Sequence, residues 1–370
     1  MKKLVLCCGI VALAAMCSAS QAQILIGQTA GITGSVSAGV KETIDGAKIY
    51  IDAVNVKGGV NGQKIELISL DDKFDPKLAA ENARTLIEEK NVLAMFLTRG
   101  TPHTEAIIPL LDKHGVALVG PSTGAMVLHQ PVKKHVFNVR ATYQREAEKA
   151  IAHLNSMGVN RIAIVHADDS FGADGTAGVQ KGLTTAKLKA VALEKFERNK
   201  PDFAPIASKI FQSNAQAIIM VASGQAVVDG IKAFRAAGST AQIVTLSNNA
   251  SNGFAKSLGE NGSGVIVSQV FPNERSIAYP MIKEAQELVK AKGSGEVSPA
   301  MLEGFAAAKV LVEGLRRAGP NASREKLQAA LENIRKLDIG GLEISYGPND
   351  HTGLDFADLS IIGTDGKFKR

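Results

Sequence analysis

The most constraining feature of the chain is the stretch 92–125, VLAMFLTRGTPHTEAIIPLLDKHGVALVGPSTGA. Two short apolar runs, residues 92–97 and 116–119, bracket a helical segment, and each run ends in small and hydroxyl residues. After the first come Thr98, Gly100, Thr101 and Thr104; after the second come Gly120, Ser122, Thr123 and Gly124. Apolar runs bounded by turn residues and separated by a helix imply a parallel β-α-β unit. In such a unit the ligand crevice lies outside the carboxyl ends of the strands. A helix that starts there turns unsatisfied N–H groups toward the crevice. With the neighbouring hydroxyls, those groups suit a carboxylate or another small anion.

The amino terminus has the order of an export signal. Lys2 and Lys3 are followed by the apolar run 4–16 and by the small-x-small site Ser20-Gln21-Ala22, so cleavage is expected after Ala22. Cys17 does not have the small preceding residue of a lipoprotein site, since Met16 stands there. Cleavage removes Cys7, Cys8 and Cys17, which are all 3 cysteines, and with them disulfides, thiolate catalysis and Cys–metal sites. No later segment approaches the apolar length that spans a bilayer. The remainder, from Gln23 to Arg370, suits two domains of ordinary size. The formal charge of +6 shrinks once Lys2 and Lys3 are gone and forms no basic cluster, which argues against a nucleic-acid partner.

The same strand-loop-helix grammar runs along the chain. Strands are expected at 24–27, 65–70, 161–165, 217–221 and 243–246, with closing strands at 340–346 and 356–362. Helices are expected at 40–54, 76–90, 145–158, 279–292, 301–318 and 324–334, the last capped by Ser323. Residues 57–62, KGGVNG, form a turn. Asp71, Asp72 and Asp75 precede Pro76 and are expected to cap the helix that it starts, rather than to hold a metal. A second α/β set in the middle of the chain points to a second lobe.

Enzymatic readings find little support. His166 with Asp168 and Asp169 offers a base and a carboxylate, but no activated serine or Gly-x-Ser-x-Gly elbow accompanies them. His103 and His114 stand alone, the loop 31–35 matches neither phosphate-binding pattern, and no zinc, Walker or dinucleotide signature occurs. Strand-end Ser, Thr and Asn residues suit equilibrium binding.

Several segments together carry a family likeness: Asp45-Gly46-Ala47 with KGGVNG, Asp71-Asp72 with Asp75-Pro76, and Gly120-Pro121-Ser122-Thr123. Further on come RIAIV at 161–165 with Phe171-Gly172, then FRAAG at 234–238. In this order and spacing the chain resembles a type I periplasmic solute-binding protein of the leucine/isoleucine/valine-binding group, the extracytoplasmic part of an ABC importer. The resemblance spans essentially everything after residue 22. It implies an α/β fold of two Rossmann-like lobes, joined by a three-strand hinge that closes over the ligand. Lobe one is expected at 23–140 plus 251–353, and lobe two at 141–250 plus 354–370.

The resemblance also implies site residues. In the family a ligand carboxylate meets a hydroxyl and backbone groups of lobe one, which here correspond to Thr101, Ser122, Thr123 and Gly124. An aromatic of lobe two corresponds to Phe171, and a polar-aromatic position falls on Ser223. Thr101 and Ser122 also suit helix caps, and Phe171 a core, but several of these positions sit at strand ends facing one crevice, which favours binding for Ser122 and Phe171. The family's acidic residue for the ligand ammonium falls on Ser247, a departure, because a hydroxyl does not neutralise a desolvated ammonium. Asp168 or Asp169 then either takes that role or only caps a helix, and Arg99 either meets a ligand carboxylate or faces solvent. The expectation is a monomeric, non-enzymatic periplasmic protein that uses no cofactor or metal. It captures a small carboxylate-bearing solute, either an amino acid or an ammonium-free organic or aromatic acid, and delivers it to an ABC permease of the inner membrane. A periplasmic sensor on the same fold is the alternative, and an amide hydrolase comes last.

Overall fold

The computed structural model describes residues 23–293 and 295–370, so the expected export signal and its three cysteines lie outside the described residues. The first half of lobe one alternates strand and helix: β1 (Ile24–Ala30), α1 (Ser37–Val56), β2 (Ile65–Asp71), α2 (Pro76–Arg84), β3 (Ala94–Phe96), α3 (Thr101–His114), β4 (Ala117–Val119) and β5 (Val136–Phe137). The five strands form one parallel sheet in the order β2-β1-β3-β4-β5. The opening stretch of the sequence is its β3-α3-β4 unit, in register from Ala94 opposite Ala117 to Phe96 opposite Val119.

The chain then builds a second sheet from α4 (Tyr143–Ser156), β6 (Ile162–Ala167), α5 (Ser170–Thr185), β7 (Ala192–Phe196), α6 (Ala204–Gln212), β8 (Ala217–Val221), α7 (Gln225–Ala236), β9 (Gln242–Thr245), α8 (Asn252–Leu258) and β10 (Ile266–Gln269). It returns to the first lobe with α9 (Pro280–Lys292), α10 (Pro299–Ala318), α11 (Arg324–Glu332) and the hairpin β11 (Leu337–Asp338) and β12 (Glu343–Ile344). It ends on the second lobe with β13 (Asp358–Ile362) and β14 (Phe368–Lys369), so the second sheet runs β14-β13-β10-β9-β8-β6-β7.

This order corrects one expected boundary. Residues 251–269 were assigned to lobe one, yet β10 pairs in parallel with β9 and antiparallel with β13. Phe254, Ala255, Leu258, Val265 and Val267 pack into the second lobe's core. The chain crosses back only after Gln269, where Val270 and Phe271 join the first core. Several strands went unforeseen, β7 and β10 among them. The edge strand β7 alternates exposed and half-buried residues, and β10 carries only two apolar residues before Ser268.

Each sheet is buried on both faces. In lobe one, α1, α9, α10 and α11 cover one face and α2 with α3 the other; in lobe two, α6, α7 and α8 face α4 and α5 across the sheet. The α1–α10 crossing is unusually close. A Cβ on Gly46 would stand 2.0 Å from the Met301 carbonyl oxygen, and one on Gly304 1.8 Å from that of Thr43. Only glycine fits both positions.

The three aspartates divide their work. Asp75 caps α2 by accepting from the Lys77 and Leu78 N–H groups. Asp71 instead accepts from the N–H groups of Ile32, Thr33 and Lys73, and Asp72 from the Phe74 N–H and the Thr29 hydroxyl. The expectation that all three cap the helix is thereby corrected: two of them fold the loops beside β1 and β2.

Three segments cross between the lobes, and two are tied together. The Asn138 N–H donates to the His351 carbonyl at 2.9 Å, and the Leu354 N–H to that of Val139 at 3.0 Å. The Tyr346 hydroxyl adds a bond to the Asn138 carbonyl at 2.6 Å.

Candidate functional site

In each sheet one strand has parallel neighbours reached in opposite directions, β1 between β2 and β3, and β6 between β7 and β8. Loops leaving the carboxyl ends at such reversal points diverge and leave a crevice. The loops after β1, β3 and β4 face those after β6, β8 and β9, and the two lobes are closed on each other there. The Gln225 N–H donates to the Ser35 carbonyl at 3.0 Å, and the Met126 N–H to Asp174 at 3.0 Å. Glu42 of α1 accepts from the Asn252 and Gly253 N–H groups at the start of α8, at 3.0 and 2.7 Å, and the Ser170 hydroxyl donates to Glu105. Gly224 is what allows the approach: its φ is +54°, and a Cβ there would lie 2.1 Å from the Ser35 carbonyl oxygen.

At the centre of this interface stands Arg99. It is 5 % exposed, and its guanidinium donates to the Ser122 hydroxyl at 3.0 Å and to the Asn248 carbonyl of the opposite lobe at 2.5 Å. Among the described residues it forms no ion pair. Burial pulls its pKa below the ordinary arginine value, the cost of holding a cation away from water. The sequence left Arg99 open between ligand and solvent, and the structure places it inside.

Around Arg99 lie several expected residues. Ser122 sits opposite it in a short parallel bridge. Thr101 opens α3 and shares a 2.7 Å hydrogen bond with Thr123; both are fully buried, and no side chain caps that helix. Gly124 lies to the side, where a Cβ would strike the Ala141 carbonyl oxygen at 2.5 Å, so it serves the close packing of the hinge. Phe171 packs edge-on against Tyr143, with ring centroids 4.9 Å apart, in the second core. The Ser223 hydroxyl accepts from the Asn248 side chain at 2.9 Å.

The acidic candidates do not converge. Asp169 caps α5 through the Gly172 N–H and is ion-paired to Arg198. Asp168 is half exposed and pairs with Lys195 at 3.0 Å. Ser247 accepts a 2.7 Å hydrogen bond from Arg140, which is 1 % exposed and ion-paired to Glu146. Glu146 in turn accepts from the Ser247 N–H and the Ser268 hydroxyl, while Glu303 of α10 lies 3.8 Å from Arg140. Burial opposes the charge on Arg140, but Glu146 and Glu303 outweigh it and hold its pKa above the arginine value. The Arg140 guanidinium also lies 4.6 Å from the Tyr143 ring centre.

Sequence reasoning missed Asn248, Arg140, Glu146, Glu303 and Arg198. Asn248 carried a signal, since it follows Ser247 at a strand end; the ion pairs join residues that no motif links. Arg198 lies 5.0 Å from the Phe74 ring of lobe one and 5.8 Å from that of Phe171.

Two cavities flank the Ser35–Gln225 contact. One of about 380 Å³ is lined by Arg99, Asn248, Asn249, Ser35 and Gly224; the other, of about 310 Å³, by Phe74, Arg198, Ser223 and Phe196. A larger cleft of 510 Å³ lies at Ile24, Val92 and Arg324. There the guanidinium is spent on the carbonyls of Ile87, Val92 and His114, so the interlobe cavities hold the better candidate site.

Comparison with known proteins bears on the family and the fold. The periplasmic binding protein family model matches residues 23–357. The Leu/Ile/Val-binding protein of Escherichia coli is 22 % identical over 321 residues, covering 86 % of each chain. A Leu/Ile/Val-binding protein of Rhizobium johnstonii is 23 % identical, covering 91 % of each. A substrate-binding periplasmic protein of Ralstonia solanacearum is structurally similar, with a TM-score of 0.85 at 30 % identity over 94 % of this chain and 99 % of that one. A possible leucine/isoleucine/valine-binding protein of Rhodopirellula baltica gives a TM-score of 0.88 at 25 % identity over 95 % and 97 %.

Proposed function

The chain belongs to the periplasmic binding protein family, with its type I fold, and from that premise we propose that it captures a small carboxylate-bearing solute between its lobes for an ABC permease of the inner membrane. One observation carries the reading. Arg99 is a guanidinium buried between the lobes, without an ion-pair partner among the described residues, and it touches both of them. A buried cation with no carboxylate in contact is costly, and a ligand carboxylate supplies that contact in bidentate form. The Ser122 hydroxyl and the uncapped N-terminus of α3 add donors of the same polarity. Closure then has a physical cause, because the anion neutralises Arg99 where the lobes meet and favours the closed state by its differential affinity. The role is binding without bond breaking, a reading that the chain's membership of the periplasmic binding protein family supports.

The test is a thermal-shift series on the chain from Gln23 onward, using carboxylates beside their primary amides. A ligand that binds only the folded state raises the melting temperature with its concentration over Kd. Carboxylates are expected to shift it and amides not. Equal shifts from both would overturn the carboxylate reading.

A further inference from the structure

We infer that Phe74 of lobe one and Arg198 of lobe two are the latch of the cleft, positioning residues whose stacking holds the lobes closed on a captured solute. This goes beyond the carboxylate reading and depends on closure alone, whatever the solute. The Arg198 guanidinium lies 5.0 Å from the centre of the Phe74 ring, and the contact joins the loop after β7 to the loop after β2. A guanidinium within about 6 Å of an aromatic face is attracted by the ring's quadrupole, and more strongly where water is excluded. Here Phe74 is 8 % exposed and the Arg198 side chain 15 %.

Each half of the latch is held by its own lobe. In lobe one, Lys73 and Phe74 take consecutive left-handed conformations, with φ of +51° and +61°, a costly region for an aromatic residue. Asp71 accepts from the Lys73 N–H and Asp72 from the Phe74 N–H, both at 2.9 Å, so the two aspartates that do not cap α2 fix this turn. The Phe74 ring also stacks on His103, with centroids 4.3 Å apart and planes inclined by 18°. Burial pushes the His103 pKa down to about 4, so the imidazole stays neutral and adds no cation to the stack. In lobe two, Arg198 is ion-paired to Asp169, which the Gly172 N–H holds, and its guanidinium lies 5.8 Å from the Phe171 ring centre. Groups already oriented lose little freedom when they meet. The cavity of about 310 Å³ that Phe74 and Arg198 line is also lined by Ser35 and Gln225, which bond across the lobes. The latch and that backbone contact therefore close together, and the paired aspartates of the sequence serve closure.

The experiment is pulsed electron paramagnetic resonance on the chain from Gln23 onward, which holds no cysteine. Nitroxides are attached at Glu81→Cys on α2 and Leu193→Cys on β7, both exposed and on opposite lobes. Interlobe distances are recorded without solute and with the carboxylate that gives the largest thermal shift. The parent is compared with Arg198→Met, Arg198→Lys, Phe74→Leu and the double variant Arg198→Met/Phe74→Leu. Arg198→Met and Phe74→Leu are each expected to lower the ratio of closed to open molecules by about fivefold, and the double variant by no more than either. Arg198→Lys keeps a cation and is expected to lose less than Arg198→Met. If Phe74→Leu does not fold, the two Arg198 variants decide. An unchanged ratio in Arg198→Met overturns the latch, as do equal losses in Arg198→Lys and Arg198→Met, or single effects that multiply in the double variant. A parent with no closed distance in either sample overturns it too. A closed fraction that ignores the carboxylate but falls in Arg198→Met overturns the carboxylate reading and leaves the latch in place.

Discussion

Replacing Arg99 by methionine keeps an unbranched side chain out to the position of Nε and removes the guanidinium with its charge, so its effect can be worked out from the contacts. In the ligand-free protein the guanidinium makes two hydrogen bonds, to Ser122 and to the Asn248 carbonyl, and loses its hydration. Those terms oppose each other, so the stability of the ligand-free variant is expected to stay within about 1 kcal/mol of the parent. Binding behaves differently. A bidentate carboxylate contributes two charge-assisted bonds, each worth about 1.5–3 kcal/mol, and the Ser122 hydroxyl and α3 N–H groups remain to offset part of the loss. A net loss of about 3 kcal/mol follows, or roughly a hundredfold increase in Kd. Titration calorimetry with the carboxylate that gives the largest thermal shift measures it, beside urea denaturation of both proteins. A Kd within threefold of the parent, in a variant of parental stability, would refute the assignment of Arg99 as the anion's partner.

Closure and acid stability give two further tests. Gly224→Val places a Cβ 2.1 Å from the Ser35 carbonyl oxygen at a φ of +54°, so the lobes should fail to seat. Solution scattering is expected to show no contraction on adding ligand, with affinity reduced at least tenfold; normal contraction would contradict the role of Gly224. Burial lowers the pKa of His129 from 6.5 to about 4, and neither ring nitrogen has a hydrogen-bond partner among the described residues. Its folded pKa lies below the unfolded one, so the stability gained from keeping it neutral is present above pH 6.5 and is lost as the pH falls toward 4. His129→Phe should therefore lose about 2 kcal/mol less stability than the parent between pH 7 and pH 5, as measured by urea denaturation. Equal losses would show that the histidine does not titrate in this way.

The fold was legible wherever burial leaves a mark on composition. Parallel strands covered on both faces must be apolar throughout, which is why VLAMFL and RIAIV stand out. An edge strand such as β7 needs only every second residue inside, and the short β10 needs only two, so neither rose above its surroundings. The return to lobe one is set by which sheet β10 joins, a pairing that local sequence does not encode. Strand-end hydroxyls point to the loops after β3 and β4, where Ser122 is bonded to Arg99 and Thr101 to Thr123, all three of them buried. What the sequence did not reveal was which charges were already satisfied. Asp169 is ion-paired to Arg198, and the Ser247 oxygen accepts from Arg140. Those partners come from distant loops and are joined only by folding.

The most direct test of the central claim is a crystal structure of the protein with the carboxylate that gives the largest thermal shift. The expected result is a closed cleft with the carboxylate oxygens about 3 Å from the Arg99 guanidinium nitrogens and the Ser122 hydroxyl. A ligand whose carboxylate lies elsewhere, with Arg99 still bound only to Ser122 and Asn248, would contradict it.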